Sequence, residues 1–116
     1  MTLDFTLDSN IDFKGTLADL ERAVLKAATI ISQYAADDCA NELENPPRRV
    51  DTGRLKNSIK GEVENNDTVV VGTNVEYAIY VHEGTRKMAA NRFLRNGITN
   101  NIDEYKEILE KCLRDA

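Results

Sequence analysis

The chain holds one histidine, two cysteines and two prolines in 116 residues, and no apolar run approaches the length of a membrane span. Each scarcity removes a class of function. With a single imidazole, any acid–base mechanism near neutral pH that relies on histidine must use His82. Cys39 and Cys112 lie far apart without metal-ligand spacing, and with one histidine they cannot build a zinc cage; they read as free thiols within helical stripes. The carboxylates are scattered instead of forming a D-x-D-x-D-G loop. Gly72-Thr73 and Gly84-Thr85 are single-glycine turns, not phosphate cradles. A trio of Ser58, His82 and Asp51 can be drawn, but such trios can be picked from almost any chain, and this serine lacks a G-x-S-x-G context. No catalytic residue, metal or cofactor is assigned. The N-terminus lacks the basic start and apolar core of a signal peptide, which predicts a protein made in a cytosol with no membrane partner.

What the chain does have is ordinary globular chemistry. A hydrophobic fraction of 41% and a charged fraction of 30% fit a soluble fold, and the length predicts one domain over residues 1–116. The net charge of −5 is unevenly spread. Residues 48–60 hold five cations against one acid, and residues 86–95 hold four cations and no acid, so two basic segments interrupt an acidic chain. Opposite charges of this kind can meet on neighbouring copies and orient an assembly. Arg48, Arg49, Arg54, Lys56 and Lys60 also form the best nucleic-acid patch. Against it stand the acidic total and the lack of aromatic side chains among those cations.

The pattern predicts an α+β fold: an antiparallel, hairpin-based sheet packed by a long helix in the N-terminal half and a C-terminal helix, with a short helix between. Leu3, Phe5 and Leu7 alternate with polar residues, predicting a short first strand. Thr16 is placed to cap a helix in which Leu17, Leu20, Val24, Ala27 or Ala28, Ile31, Tyr34 or Ala35 and Cys39 recur at helical spacing to about Glu42. Pro46 and Pro47 end it. Asp51 or Thr52 then caps a helix of about two turns carrying Leu55 and Ile59, which Gly61 can close in a left-handed conformation. Residues 62–64 alternate briefly before an Asn65-Asn66-Asp67 turn. Val75, Tyr77, Ile79 and Val81 alternate with Glu76, Ala78, Tyr80 and His82; this predicts the principal strand, hairpinned to Val69–Val71 through residues 72–74, with its apolar face forming the core. Helical spacing returns in Leu94, Ile98, Ile102, Tyr105, Leu109 and Cys112, with an irregularity expected near Gly97.

Three ordered segments carry a resemblance: V-D-T-G-R-L-K-N-S-I at 50–59, V-G-T-N-V-E-Y-A-I-Y-V-H-E-G-T at 71–85, and R-K-M followed by F-L-R at 86–88 and 93–95. In order and spacing they resemble the neck and minor tail proteins of long-tailed double-stranded DNA phages, the head-tail connector or tail-completion family. The resemblance implies a structural virion protein, not an enzyme, encoded by a phage or prophage and assembled in the host cytoplasm. It further implies a homo-oligomeric ring, commonly hexameric, at the head-tail junction or tail end, contacting other head-tail or tail proteins while DNA passes through without sequence-specific binding. The motif residues are Asp51, Thr52, Gly53, Leu55, Ser58, Tyr77, Tyr80, Gly84 and Thr85. On this reading Gly53 leaves room for a close backbone neighbour, and Tyr77 and Tyr80 make large contacts on opposite sheet faces. Arg86, Lys87, Met88, Arg92, Phe93 and Leu94 are the candidates for an assembly interface. The family often has prolines around F-L-R, where this chain has Ala89, Arg92 and Asn96. The alternatives are a small DNA-binding regulator and, more weakly, a small hydrolase.

Overall fold

In the computed structural model, residues 1–7, 13, 15–45, 52–86 and 89–115 are described. The longest element is helix α1 (Leu17–Glu42), about 39 Å at 1.5 Å per residue. Its start is fixed by a reciprocal capping box. The Asp19 N–H donates to Thr16 Oγ1 (3.1 Å) and the Thr16 N–H donates to Asp19 Oδ2 (3.3 Å), satisfying two backbone donors that the first turn leaves unpaired. The buried stripe Ala23, Val24, Ala27, Ala28, Ile31, Ala35 and Cys39 follows. Its small residues admit close neighbours, whereas Leu17, expected to belong to the stripe, stays exposed.

Strands β1 (Thr2–Thr6), β2 (Lys60–Glu64) and β3 (Thr68–Gly72) form an antiparallel sheet in the order β1-β3-β2. In this register Val69 stands between Phe5 and Val63, and Val71 between Leu3 and Gly61. The period of two turns this set toward α1, leaving Thr2, Asp4, Glu62, Glu64 and Val70 on the opposite face. The β2–β3 turn places Asn65 and Asn66 at φ 54° and 68°, a left-handed pair that asparagine tolerates well. Helix α2 (Thr52–Ser58) precedes the sheet hairpin. Helix α3 (Ala78–Glu83) leaves it, and helices α4 (Phe93–Thr99) and α5 (Ile102–Arg114) end the fold.

The predicted α+β class therefore holds: a three-stranded antiparallel sheet packs on α1, and the C-terminal helices pack on α1 beside it. Several local expectations do not. The alternating stretch 75–82 is not a strand. Both neighbours of β3 are already supplied by β1 and β2, so the sheet offers it no central place, and its buried members Val75, Ala78, Val81 and His82 follow helical spacing. Ile79, assigned to the core face, is 52% exposed. The hairpin joins β2 to β3 through Asn65 and Asn66, not Val69–Val71 to the later run.

Gly61 does not close α2; it lies within β2, where a side chain would collide with the Ser32 backbone carbonyl of α1. Gly53 has no close neighbour, since a Cβ there would meet nothing within 4 Å. The C-terminal helical pattern is broken at Asn100 and Asn101, not at Gly97. Asn101 Nδ2 donates to the Gly97 carbonyl (2.7 Å) at this joint. Gly97 instead lets α4 meet α1, because a Cβ would lie 2.6 Å from the Cys39 Cα.

Candidate assembly surface

The motif segments at 52–59 and 71–85 meet through hydroxyl groups. Ser58 Oγ donates to the Leu55 carbonyl (2.6 Å) at the end of α2 and lies 2.5 Å from Thr73 Oγ1, which accepts from the Val75 N–H (3.1 Å). With the Ser58 proton committed to Leu55, Thr73 supplies the proton between the two hydroxyls. The chain leaving β3 is thereby bent toward α3 and tied to α2. Buried Leu55 anchors α2 from beneath. The Arg54 guanidinium lies 5.7 Å from the Tyr77 ring centroid, a cation–π distance. Tyr77 caps α3 and Tyr80 sits on it, so neither occupies a sheet face.

Helix α3 turns Ala78, Val81 and His82 inward and leaves two adjacent large apolar side chains outside: Ile79 at 52% and Tyr80 at 58% exposure. His82 is held on all sides. Its ring meets Phe93 edge-on (5.4 Å), its Nε2 accepts from the Arg95 N–H (3.4 Å), and its Nδ1 lies 2.9 Å from Glu83 Oε1. An accepting Nε2 leaves the proton on Nδ1, so Nδ1–H donates to Glu83. That hydrogen bond, helped by Arg92 and Arg95, holds the Glu83 carboxyl below its ordinary range. Gly84 then turns the chain at φ 79°, the left-handed region that favours glycine.

The return from this turn is pinned by a residue that the motif reading passed over. Asn91 is buried; its N–H donates to the Val81 carbonyl (2.8 Å), and its Nδ2 donates to the carbonyls of Glu42 (3.3 Å) and Asn45 (3.4 Å). These carbonyls lie at the C-terminal end of α1, which has no basic residue in its last turn; that of Glu42 also accepts the Asn45 N–H (3.1 Å).

Of the assembly candidates, Arg86 and Arg92 are exposed beside α3, with Arg92 3.9 Å from Glu83. Thr85 is exposed next to them. Lys87 and Met88 lie outside the described residues, as do the Asp51 cap, Pro46 and Pro47, and Arg48 and Arg49 of the basic patch. Phe93 and Leu94 are wholly buried, so they are core side chains and cannot themselves touch a neighbour. They fix the base of the segment whose cations are outside. The rest of the basic patch is partly committed within the chain, since Lys56 pairs with Glu44 (3.1 Å) and Arg54 covers Tyr77.

Chemical reactivity is damped where nucleophiles occur. Cys39 is buried against the Leu94 carbonyl (3.5 Å). Burial, followed by the nearby charges of Asp38 and Glu42, pushes its thiol up to about 12, which keeps it protonated. Tyr105 is likewise raised by burial and by donating its hydroxyl to Asp38 Oδ2 (2.7 Å). Ser58 and His82 serve separate partners. Among the described residues no group of three or more His, Cys, Asp or Glu is placed to hold a metal, and no helix is long and apolar enough to cross a membrane.

Residues 11–84 match the family model described as "Bacteriophage HK97-gp10, putative tail-component". No curated protein and no solved structure matches the chain.

Proposed function

Because the chain belongs to the HK97-gp10-like family of phage tail components, whose members are structural and not enzymes, we propose that it acts as one domain that assembles into a ring, at the head-tail junction or tail end, around the path of DNA. The observation that carries this reading is the combination of an acid-free basic segment, residues 86–95, with the exposed Ile79 and Tyr80 on the short helix that precedes it. Apolar side chains placed beside like-charged cations are poorly suited to permanent solvation on an acidic protein. They suit a contact with the acidic surface of the next copy. The ring is commonly hexameric in the resembled family, and its other contacts are with head-tail or tail proteins.

The test is replacement of Arg86, Lys87 and Arg92 together by serine. The melting of the isolated subunit should stay close to wild type, because the Arg92–Glu83 pair is exposed and long. Ring formation and incorporation into particles should be lost. A triple variant that assembles normally but loses retention of DNA would place these cations on the channel and remove them from the subunit contact.

A further inference from the structure

A second apolar surface lies away from α3. Between β1 and the α4–α5 pair is a groove of about 460 Å³. Ile98, Tyr105 and Leu109 form its buried floor, Phe5 and Leu7 one wall, and Ile102, 40% exposed, the rim. Tyr105 is fixed there by stacking on Phe5 (centroids 5.7 Å apart, planes 9° from parallel) and by its bond to Asp38, so the floor is preformed. Such a cleft, mostly apolar with rigid walls, fits a protruding apolar side chain better than a polar ligand.

We propose that this groove receives Ile79 and Tyr80 of a second copy of the chain. The inference rests on the reading of the protein as a self-assembling tail component and specifies which two surfaces meet. Three features favour a second copy as occupant. The protruding pair and the groove share no residue, so one subunit can use both at once, and a contact between unlike surfaces propagates head to tail into a ring when its rotation closes. The charges around them are opposite. Exposed Arg86, Arg92 and Arg95 follow the protruding pair, whereas residues 103–110 of α5 expose Asp103, Glu104, Glu107 and Glu110 against the single cation Lys106. Seating the pair in the groove brings basic flank to acidic flank. Pairing like surfaces, α3 on α3 or groove on groove, would oppose charges of one sign.

A head-to-tail contact has a signature that a symmetric one lacks. Ile79→Ser with Tyr80→Ser disables the knob and leaves the groove; Ile102→Asp disables the groove and leaves the knob. All three positions are exposed, so folding should survive, with circular dichroism and melting as the check. In sedimentation over a concentration series, each variant alone should need about tenfold or more protein to associate than wild type does. Mixed in equal amounts, the two should form a dimer and stop there, because the mixture contains one intact knob-groove pair per two chains. If wild type associates and both variants associate equally well, the groove assignment falls and the ring reading stands. If wild type stays monomeric at every concentration and cross-linking of intact particles finds only isolated copies, the ring reading falls, and the groove assignment falls with it. If wild type stays monomeric but only the groove variant is excluded from particles, the groove takes a different tail protein and the proposal is overturned.

Discussion

Residues 60–72 and residues 73–84 both carry strand-like patterns, a brief alternation at 62–64 with a valine run at 69–71 in the first and a longer alternation at 75–82 in the second, yet the first forms β2 and β3 and the second forms a bend and α3. The difference lies in what else each segment can satisfy. In 60–72 the Asn65-Asn66 pair supplies the left-handed turn, and β3 finds a partner on each side. In 73–84 the Thr73 hydroxyl captures the Val75 N–H, the Ala78 N–H reaches the Val75 carbonyl (3.2 Å), and Gly84 ends the turn of helix that follows. Alternation over about eight residues is compatible with either outcome, because positions 75, 78, 81 and 82 also trace one helical face. A side chain that bonds its own backbone two residues on decides the matter locally, before the sheet can compete.

The largest expected effect tests the first region. If β2 lies against α1 as closely as Gly61 indicates, Gly61→Val should be strongly destabilising even though valine favours strands, since its Cβ would meet the Ser32 carbonyl and both sides of the contact are backbone. Overpacking of this kind costs about 1–3 kcal/mol or more, read as a lowered midpoint in denaturant. Gly53→Ala, in α2 with open space around it, should be neutral or stabilising by up to about 1 kcal/mol. A tolerated Gly61→Val would separate the sheet from α1.

The next test divides the second region. Were 75–82 a half-buried strand, Ile79 and Val81 would lie on one face and truncation of either would cost alike. As α3, Val81 is 5% exposed and Ile79 is 52% exposed. Val81→Ala should therefore cost about 1.5–3 kcal/mol, and Ile79→Ala within about 0.5 kcal/mol. Equal losses in thermal melting would restore the strand.

How much was legible follows the same division. The capping pair Thr16 and Asp19, the alanine-rich stripe of α1, the alternation of Leu3 and Phe5, and the Asn65-Asn66 turn all act within a few residues, and each could be read before the fold was known. The places of Gly61 and Gly97 could not, because what makes glycine necessary there is the backbone of α1, brought close only by the assembled fold. Asn91 was missed for a related reason. Its partners, Glu42 and Asn45, are 49 and 46 residues away, and nothing near it in sequence points to a distant helix end. For the candidate site, the motifs name Phe93 and Leu94 together with the cations around them, but burial separates these two core side chains from Ile79 and Tyr80, which protrude.

The smallest effect concerns acid. Two carboxyls sit below their ordinary values in the folded chain. Asp19 is lowered from 3.8, first by accepting the Thr16 N–H and then by the Thr16 hydroxyl, with Arg22 assisting; Glu83 is lowered from 4.5, chiefly by the His82 hydrogen bond. A carboxyl lowered on folding stabilises the native state while pH stays above its unfolded value, and that contribution drains away as pH falls through the folded value. The loss should therefore begin near the ordinary carboxyl range and deepen below it. Glu83 is exposed and Asp19 partly exposed, so solvent screens both and the change should be modest. Melting followed from about pH 6 to about pH 3 should show a gentle decline. Asp19→Asn should flatten it by removing the titrating charge on the α1 cap, and Glu83→Gln should flatten it by removing the titrating charge at the end of α3 while keeping an acceptor for His82. The two sites lie in separate helices, Asp19 in α1, whose start the sequence announces, and Glu83 in α3, which the alternation concealed. The double variant should therefore show additive flattening. Slopes identical to wild type in both single variants would mean that neither hydrogen bond persists in solution, and with the Glu83 bond would go the account of how α3 is held shut at its end.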